Sequence, residues 1–174
     1  MTFQQLFFLE FICNLSLHQP DNIGFAEDGT LKLIDFGLCT CVNRRQTKDQ
    51  TYEMTGNTGS LRYMAPEVAL KRSYTELVDV YSFGILVWQM ARDRSPFQGL
   101  NKNEFMRHVA SGGLRPKLDK SWPPGFSGLL KQCWDSDPSQ RPSFTAICVQ
   151  LDAALLQEEI SKSSRQHVRG SQSG

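Results

Sequence analysis

A chain of 174 residues, 40% hydrophobic and 21% charged with a formal net charge of +1, has room for one domain with a sizeable core. That balance excludes a large basic field for nucleic acid and an acidic excess aimed at a basic partner. Cys13, Cys39, Cys41, Cys133 and Cys148 are odd in number and scattered, which argues against a disulfide framework. It points to reduced, mostly core-filling thiols in an intracellular, cytoplasmic setting. The C-x-C of Cys39 and Cys41 has no second Cys or His pair nearby to complete a zinc site.

In chain order, Phe3 to Leu17 is apolar but interrupted by Glu10 and Asn14. It is too short for a membrane span and lacks the positive start of a signal peptide, so it is expected as a buried helix. "NIGFAEDGTLKLIDFG" predicts a hairpin: a strand over Ile23 to Phe25, a turn at Glu27-Asp28-Gly29-Thr30, and a strand over Leu31 to Ile34. The polar stretch from Leu38 to Tyr63 predicts a long functional loop. From Val78 to Ala91 only Asp79, Ser82 and Gln89 are clearly polar, and they make no continuous wet face. A helix apolar nearly all round belongs in the middle of the molecule. "NKNEFMRHVASGG" predicts a helix stopped by Gly112 and Gly113, and "GFSGLLKQCWDSDP" another ended before Pro138. In "SFTAICVQLDAALLQEEI", Ser143 caps a last helix with an apolar stripe of Phe144, Ile147, Leu151, Leu155 and Ile160. The polar tail over 159–174 has too few apolar residues to fold.

Asp35-Phe36-Gly37 follows the second strand, and Asn22 stands just ahead of the first. A carboxylate and an amide oxygen at the two ends of one hairpin can converge on a hard cation such as Mg²⁺, and Gly37 lets the following loop swing. Downstream come "GSLRYMAPE", "DVYSFGILVWQM" and "CWDSDPSQRPSF". With these strings in this order, the chain resembles the C-terminal lobe of a eukaryotic protein kinase from about Pro20 to about Leu155. The last two strings are similar to the tyrosine-kinase-like group, whose members are mostly serine/threonine-specific, and Ser60 stands where that type carries a hydroxyl.

The resemblance implies a mainly α fold with a small β-hairpin, a kinase C-lobe over residues 20–158 without its N-lobe, after an off-pattern segment over 1–19. It implies ATP-dependent phosphorylation of protein serine or threonine. Asn22 and Asp35 would hold the Mg²⁺ ions. The span from Leu38 to Met64 would be the activation loop, with Thr55 and Thr58 as its favoured phosphorylation sites, closed by Ala65-Pro66-Glu67. Glu67 would pair with Arg141, and buried Asp79 would hold the catalytic-loop backbone.

Against that pattern one stretch breaks. In H-R-D-L-x-x-x-N, counting back from Asn22 puts Leu15, Ser16 and Leu17 at the His, Arg and Asp positions, and Gln19 where a lysine is usual. Leu17 has no lone pair with which to accept a hydroxyl proton. No G-x-G-x-x-G or V-A-I-K string occurs in the 174 residues, which makes ATP binding doubtful. The abrupt edge near Pro20 predicts a truncated kinase, inactive alone. The alternative is a non-enzymatic, pseudokinase-like module that binds a protein substrate or a partner kinase, with no nucleic acid and no membrane span involved.

Overall fold

The computed structural model describes residues 12–13, 23–33, 39–40, 61–154 and 156. It is mainly helical, with two small antiparallel ladders at its N-terminal side. Strands β2 (Ile23–Phe25) and β3 (Leu31–Leu33) pair with Ile23 opposite Leu33 and Phe25 opposite Leu31. Between them Gly29 takes a φ of +78°, and the Asp28 carboxylate accepts from Thr30 N–H at 2.8 Å. The Asp–Gly pair thus closes the expected hairpin.

The second ladder was not foreseen. Strand β1 (Ile12–Cys13) runs antiparallel to β4 (Cys39–Thr40), with Ile12 opposite Thr40 and Cys13 opposite Cys39. Two corrections follow. The part of Phe3 to Leu17 that is described is strand rather than buried helix, and the loop after Leu38 opens as a strand. Short apolar runs carry no periodicity long enough to separate the two states, and pairing decides.

Among the described residues the body is built on five α- or π-helical segments and a short 3-10 turn (Pro138–Gln140). Helix α1 (Pro66–Ala69) starts on a proline at its first position, where the missing N–H costs nothing. Helix α2 (Leu77–Arg92) is the buried axis, with Val78, Val80, Tyr81, Ile85, Leu86 and Trp88 all in the core. It ends on Asp93 in the left-handed region (φ 51°), whose N–H donates to Gln89 O at 2.8 Å. Segment α3 starts as an α-turn (Lys102–Glu104) and widens into a π-helix (Phe105–Ala110), where a plain α-helix was expected. Its start is a reciprocal cap: Asn101 Oδ1 accepts from Glu104 N–H at 3.0 Å, and Glu104 Oε2 accepts from Asn101 N–H at 2.9 Å. Helix α4 (Pro124–Cys133) packs on α2, and Gly84 makes that approach possible. A Cβ added at Gly84 would stand 2.7 Å from Cys133 Cβ. Helix α5 covers 144–154; Ser143 Oγ accepts from Ala146 N–H at 3.2 Å, as expected of a cap.

Two apolar clusters meet on α2. One gathers Met64, Ala65, Tyr81, Ile85, Phe105, Val109, Leu130 and Trp134, among others. The other joins Val80, Leu129, Cys133 and Ile147. The loop between α3 and α4 is tied down by Trp88 Nε1, which donates to Lys117 O at 3.0 Å, and by an Arg92–Asp119 ion pair.

Candidate functional site

Two of the polar residues of α2, Ser82 and Gln89, converge on one neighbour. Asp79, Ser82 and Gln89 recur at offsets of three and seven, so they fall in one narrow stripe of the helix. The stripe is not wet: Asp79 and Ser82 are buried, and Gln89 is half-buried. Ser82 Oγ donates to Tyr63 O at 2.8 Å and to Val78 O at 3.2 Å. Tyr63 donates its hydroxyl to Gln89 Oε1 at 2.5 Å. One residue is therefore held at its backbone and at its ring tip by side chains two turns apart. Tyr63, Met64 and Ala65, which lead into α1, are buried against the helix. Asp79, 5% exposed in the first turn, is also engaged by a hydrogen-bonding or charged partner.

Glu67 and Arg141 are brought together as a two-pronged ion pair. Arg141 Nη1 donates to Glu67 Oε1 at 2.6 Å and Nη2 to Oε2 at 3.0 Å. The remaining geometry of the guanidinium is used as well. Nη1 reaches Leu77 O at 3.0 Å and Nε reaches Asp135 O at 3.0 Å. The planar fork suits this, since a lysine offers a point charge and could not serve three directions at fixed angles. The pair thus joins α1, the start of α2 and the turn before Arg141. Both side chains are nearly free of solvent, so their mutual bonding offsets a desolvation cost that neither could meet alone.

Sequence reasoning missed Tyr81 and Arg115. The Arg141 and Arg115 guanidinium carbons lie 5.2 and 5.1 Å from the Tyr81 ring centroid. Arg115 is held by Trp134 O at 2.8 Å, Leu114 O at 3.0 Å and Ser136 Oγ at 3.2 Å. Burial pushes the Tyr81 phenol up to about 12, with Arg115 and then Arg141 drawing it back. Its hydroxyl has no hydrogen-bond partner among the described residues. No local signal marks either residue, because the bonds of Arg115 to Trp134 O and Ser136 Oγ join segments far apart in the chain.

Leu17, Asn22, Asp35, Phe36, Gly37, Thr55, Thr58 and Ser60 lie outside the described residues. The strand ends that lead to the metal candidates are described. Ile23, which follows Asn22, is paired with Leu33, two residues before Asp35. An amide oxygen and a carboxylate are hard donors of the kind Mg²⁺ takes, so the donor chemistry fits. Among the described residues no group of three or more His, Cys, Asp or Glu could hold a metal. No described helix is long and apolar enough to cross a membrane.

The family described as protein tyrosine and serine/threonine kinase matches residues 19–151. The chain belongs to the protein kinase family. Among kinases it is 40% identical over 144 residues to serine/threonine-protein kinase VIK of Arabidopsis thaliana, covering 80% of this chain and 33% of that one. Against serine/threonine/tyrosine-protein kinase HT1 of the same plant it is 37% identical over 134 residues, covering 77% and 33%. Against mitogen-activated protein kinase kinase kinase 7 of Bos taurus it is 38% identical over 131 residues, covering 74% and 21%. The chain thus spans a third or less of the length of these relatives. The match begins at residue 19, two positions past Leu17.

Proposed function

We propose that residues 20–158 form the substrate-binding lobe of a protein serine/threonine kinase of the tyrosine-kinase-like group, and that the 174-residue chain by itself transfers no phosphate. The observation that carries the first part is the buried Glu67–Arg141 fork. It fixes the end of the Leu38-to-Glu67 segment to the helical body, where an incoming protein chain would be read. Tyr63, clamped by Ser82 and Gln89, makes the floor of that segment rigid. The relatives named for serine/threonine activity support the hydroxyl class of the acceptor.

In this reading Asn22 and Asp35 would hold Mg²⁺, which when bound neutralises charge on the phosphates of ATP. Asp79 would hold the backbone of the 15–22 loop, and Thr55 and Thr58 would accept regulatory phosphate. The acceptor hydroxyl needs a base, and Leu17 supplies none. Loss of a general base alone lowers turnover by about 10²–10⁴-fold. Gln19 adds no charge beside the phosphoryl group, so transition-state stabilisation falls further. The setting is intracellular, with a protein substrate or a partner kinase as the binding partner.

The test is transfer of radiolabelled phosphate from ATP to a generic serine/threonine protein substrate, with Asp35→Ala as control. No Asp35-dependent label is expected, and Leu17→Asp alone restores none. Label that vanishes with Asp35→Ala would overturn the inactive assignment. Calorimetry with Mn²⁺ separates the two parts: weak heat that Asp35→Ala abolishes is expected even without turnover.

A further inference from the structure

Helix α1 closes through a double turn. Lys71 N–H donates to Val68 O at 2.9 Å, and Arg72 N–H donates to Glu67 O at 2.7 Å. This bonding reverses a helix end around one residue in the left-handed region, a place that glycine takes most readily. Here that residue is Lys71, at a φ of 54°. A side chain with a Cβ is strained at such a φ, so the turn keeps a lysine where glycine folds more easily. Lys71 and Arg72 are both exposed. α1 packs against the π-helical half of α3, where Val68 and Ala69 meet the cluster that holds Phe105 and Val109. On α3 itself Lys102 and Arg107 are exposed, and Arg107 Nη2 stands 3.0 Å from Nε2 of its exposed neighbour His108. The carboxylates of these two elements are already engaged. Glu67 is locked to Arg141, and half-buried Glu104 accepts from Asn101 N–H in the cap of α3. Among the described residues the ion pairs are Arg92–Asp119 and Glu67–Arg141, and neither uses any of the four cations.

We propose that Lys71, Arg72, Lys102 and Arg107 form a docking surface for an acidic segment of a protein partner. Charge complementarity sets the class of the partner: a surface of exposed cations steers carboxylates in and repels basic chains. The two guanidinium groups can each grip a carboxylate with two parallel bonds, which a lysine cannot. The surface adjoins Tyr63, Met64 and Ala65, the buried residues that lead into α1. Stability alone favours glycine in the left-handed place, whereas a binding role favours the cation. The choice of a protein over another polyanion rests on the reading of this lobe as the protein-binding one. The surface itself does not rest on it, and phosphate transfer by the chain is not required.

The test is fluorescence anisotropy of a labelled oligoglutamate peptide with the purified chain, and an oligolysine peptide of equal length as control. Saturable binding of oligoglutamate alone is expected, weakening as salt is raised. Lys71→Gly removes one cation and suits the left-handed backbone, so it should lower the affinity while raising the melting temperature. Lys71→Gly combined with Arg107→Glu should lower the affinity by about tenfold or more. Lys120 and Lys131 are exposed cations outside the two elements. Lys120→Glu combined with Lys131→Glu changes the net charge at least as much, and should leave the affinity within about twofold. Absence of saturable binding would overturn the proposal, and so would equal losses in the two double variants or a Lys71→Gly chain that binds like the parent. Tighter binding of single-stranded RNA or of phosphatidylserine vesicles, lost with Lys71→Gly, would overturn the protein partner. Failure of the protein-binding reading thus shows as a different ligand on the same residues, and failure of the site as binding that ignores them.

Discussion

At the scale of single residues the Glu67–Arg141 fork is the strongest commitment in the lobe. Four of the N–H bonds of Arg141 go to three separate segments. Glu67→Gln leaves that guanidinium buried without its counter-charge and should cost about 3–5 kcal/mol. Arg141→Lys keeps the charge but loses the fork, and should also lower stability. Urea unfolding of both variants checks this; a midpoint within error of the parent would refute it. Combining Glu67→Gln with Arg141→Met should recover part of the loss, because no orphaned charge then remains. A second residue-scale effect is set by pH. Burial pushes the Tyr81 phenol and the Cys133 thiol each up to about 12. Both hold their protons more tightly folded than unfolded. Their contribution is complete below the unfolded values of 9.0 for the thiol and 10.0 for the phenol, and drains as pH rises toward about 12. Stability should therefore fall through that alkaline window. Tyr81→Phe should make the fall shallower in melts taken from pH 8 to 11; an unchanged slope would mean that Tyr81 does not contribute.

At the scale of elements, two contacts decide how helices start and meet. The Asn101–Glu104 cap satisfies an orphan N–H at the start of α3 and the N–H of Asn101 itself. Asn101→Ala should cost about 1 kcal/mol, read as a lower melting temperature. The α2–α4 crossing depends on the bare Cα of Gly84. Gly84→Ala gains helix propensity but forces a methyl against Cys133 Cβ, and overpacking of that kind costs about 1–3 kcal/mol. Because the clash is with the Cβ, Cys133→Ala should give no relief in the double variant. Rescue by Cys133→Ala would show that the sulfur, not the backbone approach, sets the distance. The element scale also shows what was legible. The hairpin and α2 follow from alternation, the Asp-Gly turn and a run that is apolar nearly all round. The β1–β4 ladder does not, since its two strands are remote in the chain, and the π-helical turn of α3 has no mark in the apolar pattern.

At the scale of the whole molecule, α2 belongs to both apolar clusters at once. Tyr81 and Ile85 face one, and Val80 faces the other. Damage on either side should therefore loosen the same cooperative unit. Met64→Ala in the first cluster and Ile147→Ala in the second each delete a buried side chain, at a cost of about 2–5 kcal/mol. In both variants the far-UV circular dichroism and tryptophan fluorescence transitions should shift together. Trp88, Trp122 and Trp134 report from the first cluster or its margin. Separated transitions in the Ile147→Ala variant would split the lobe into two units. The helical body keeps its own core and ion pair, whatever chemistry residues 15–22 support.

The sequence by itself determined the family, the order of the helices and the partnership of Glu67 with Arg141. Those features reside in strings whose chemistry is local or whose resemblance is specific. Only the tertiary structure decided what the polar residues of a buried helix are for. Ser82 and Gln89 look like interruptions until Tyr63 is laid along them. It also decided that Arg115 and Arg141 share the face of Tyr81, and that Cys13 stands opposite Cys39. The physical reason is the same in each case. A hydrogen bond or a register pair needs its two groups within a few ångströms, and for partners dozens of residues apart only the packing of the intervening chain supplies that proximity.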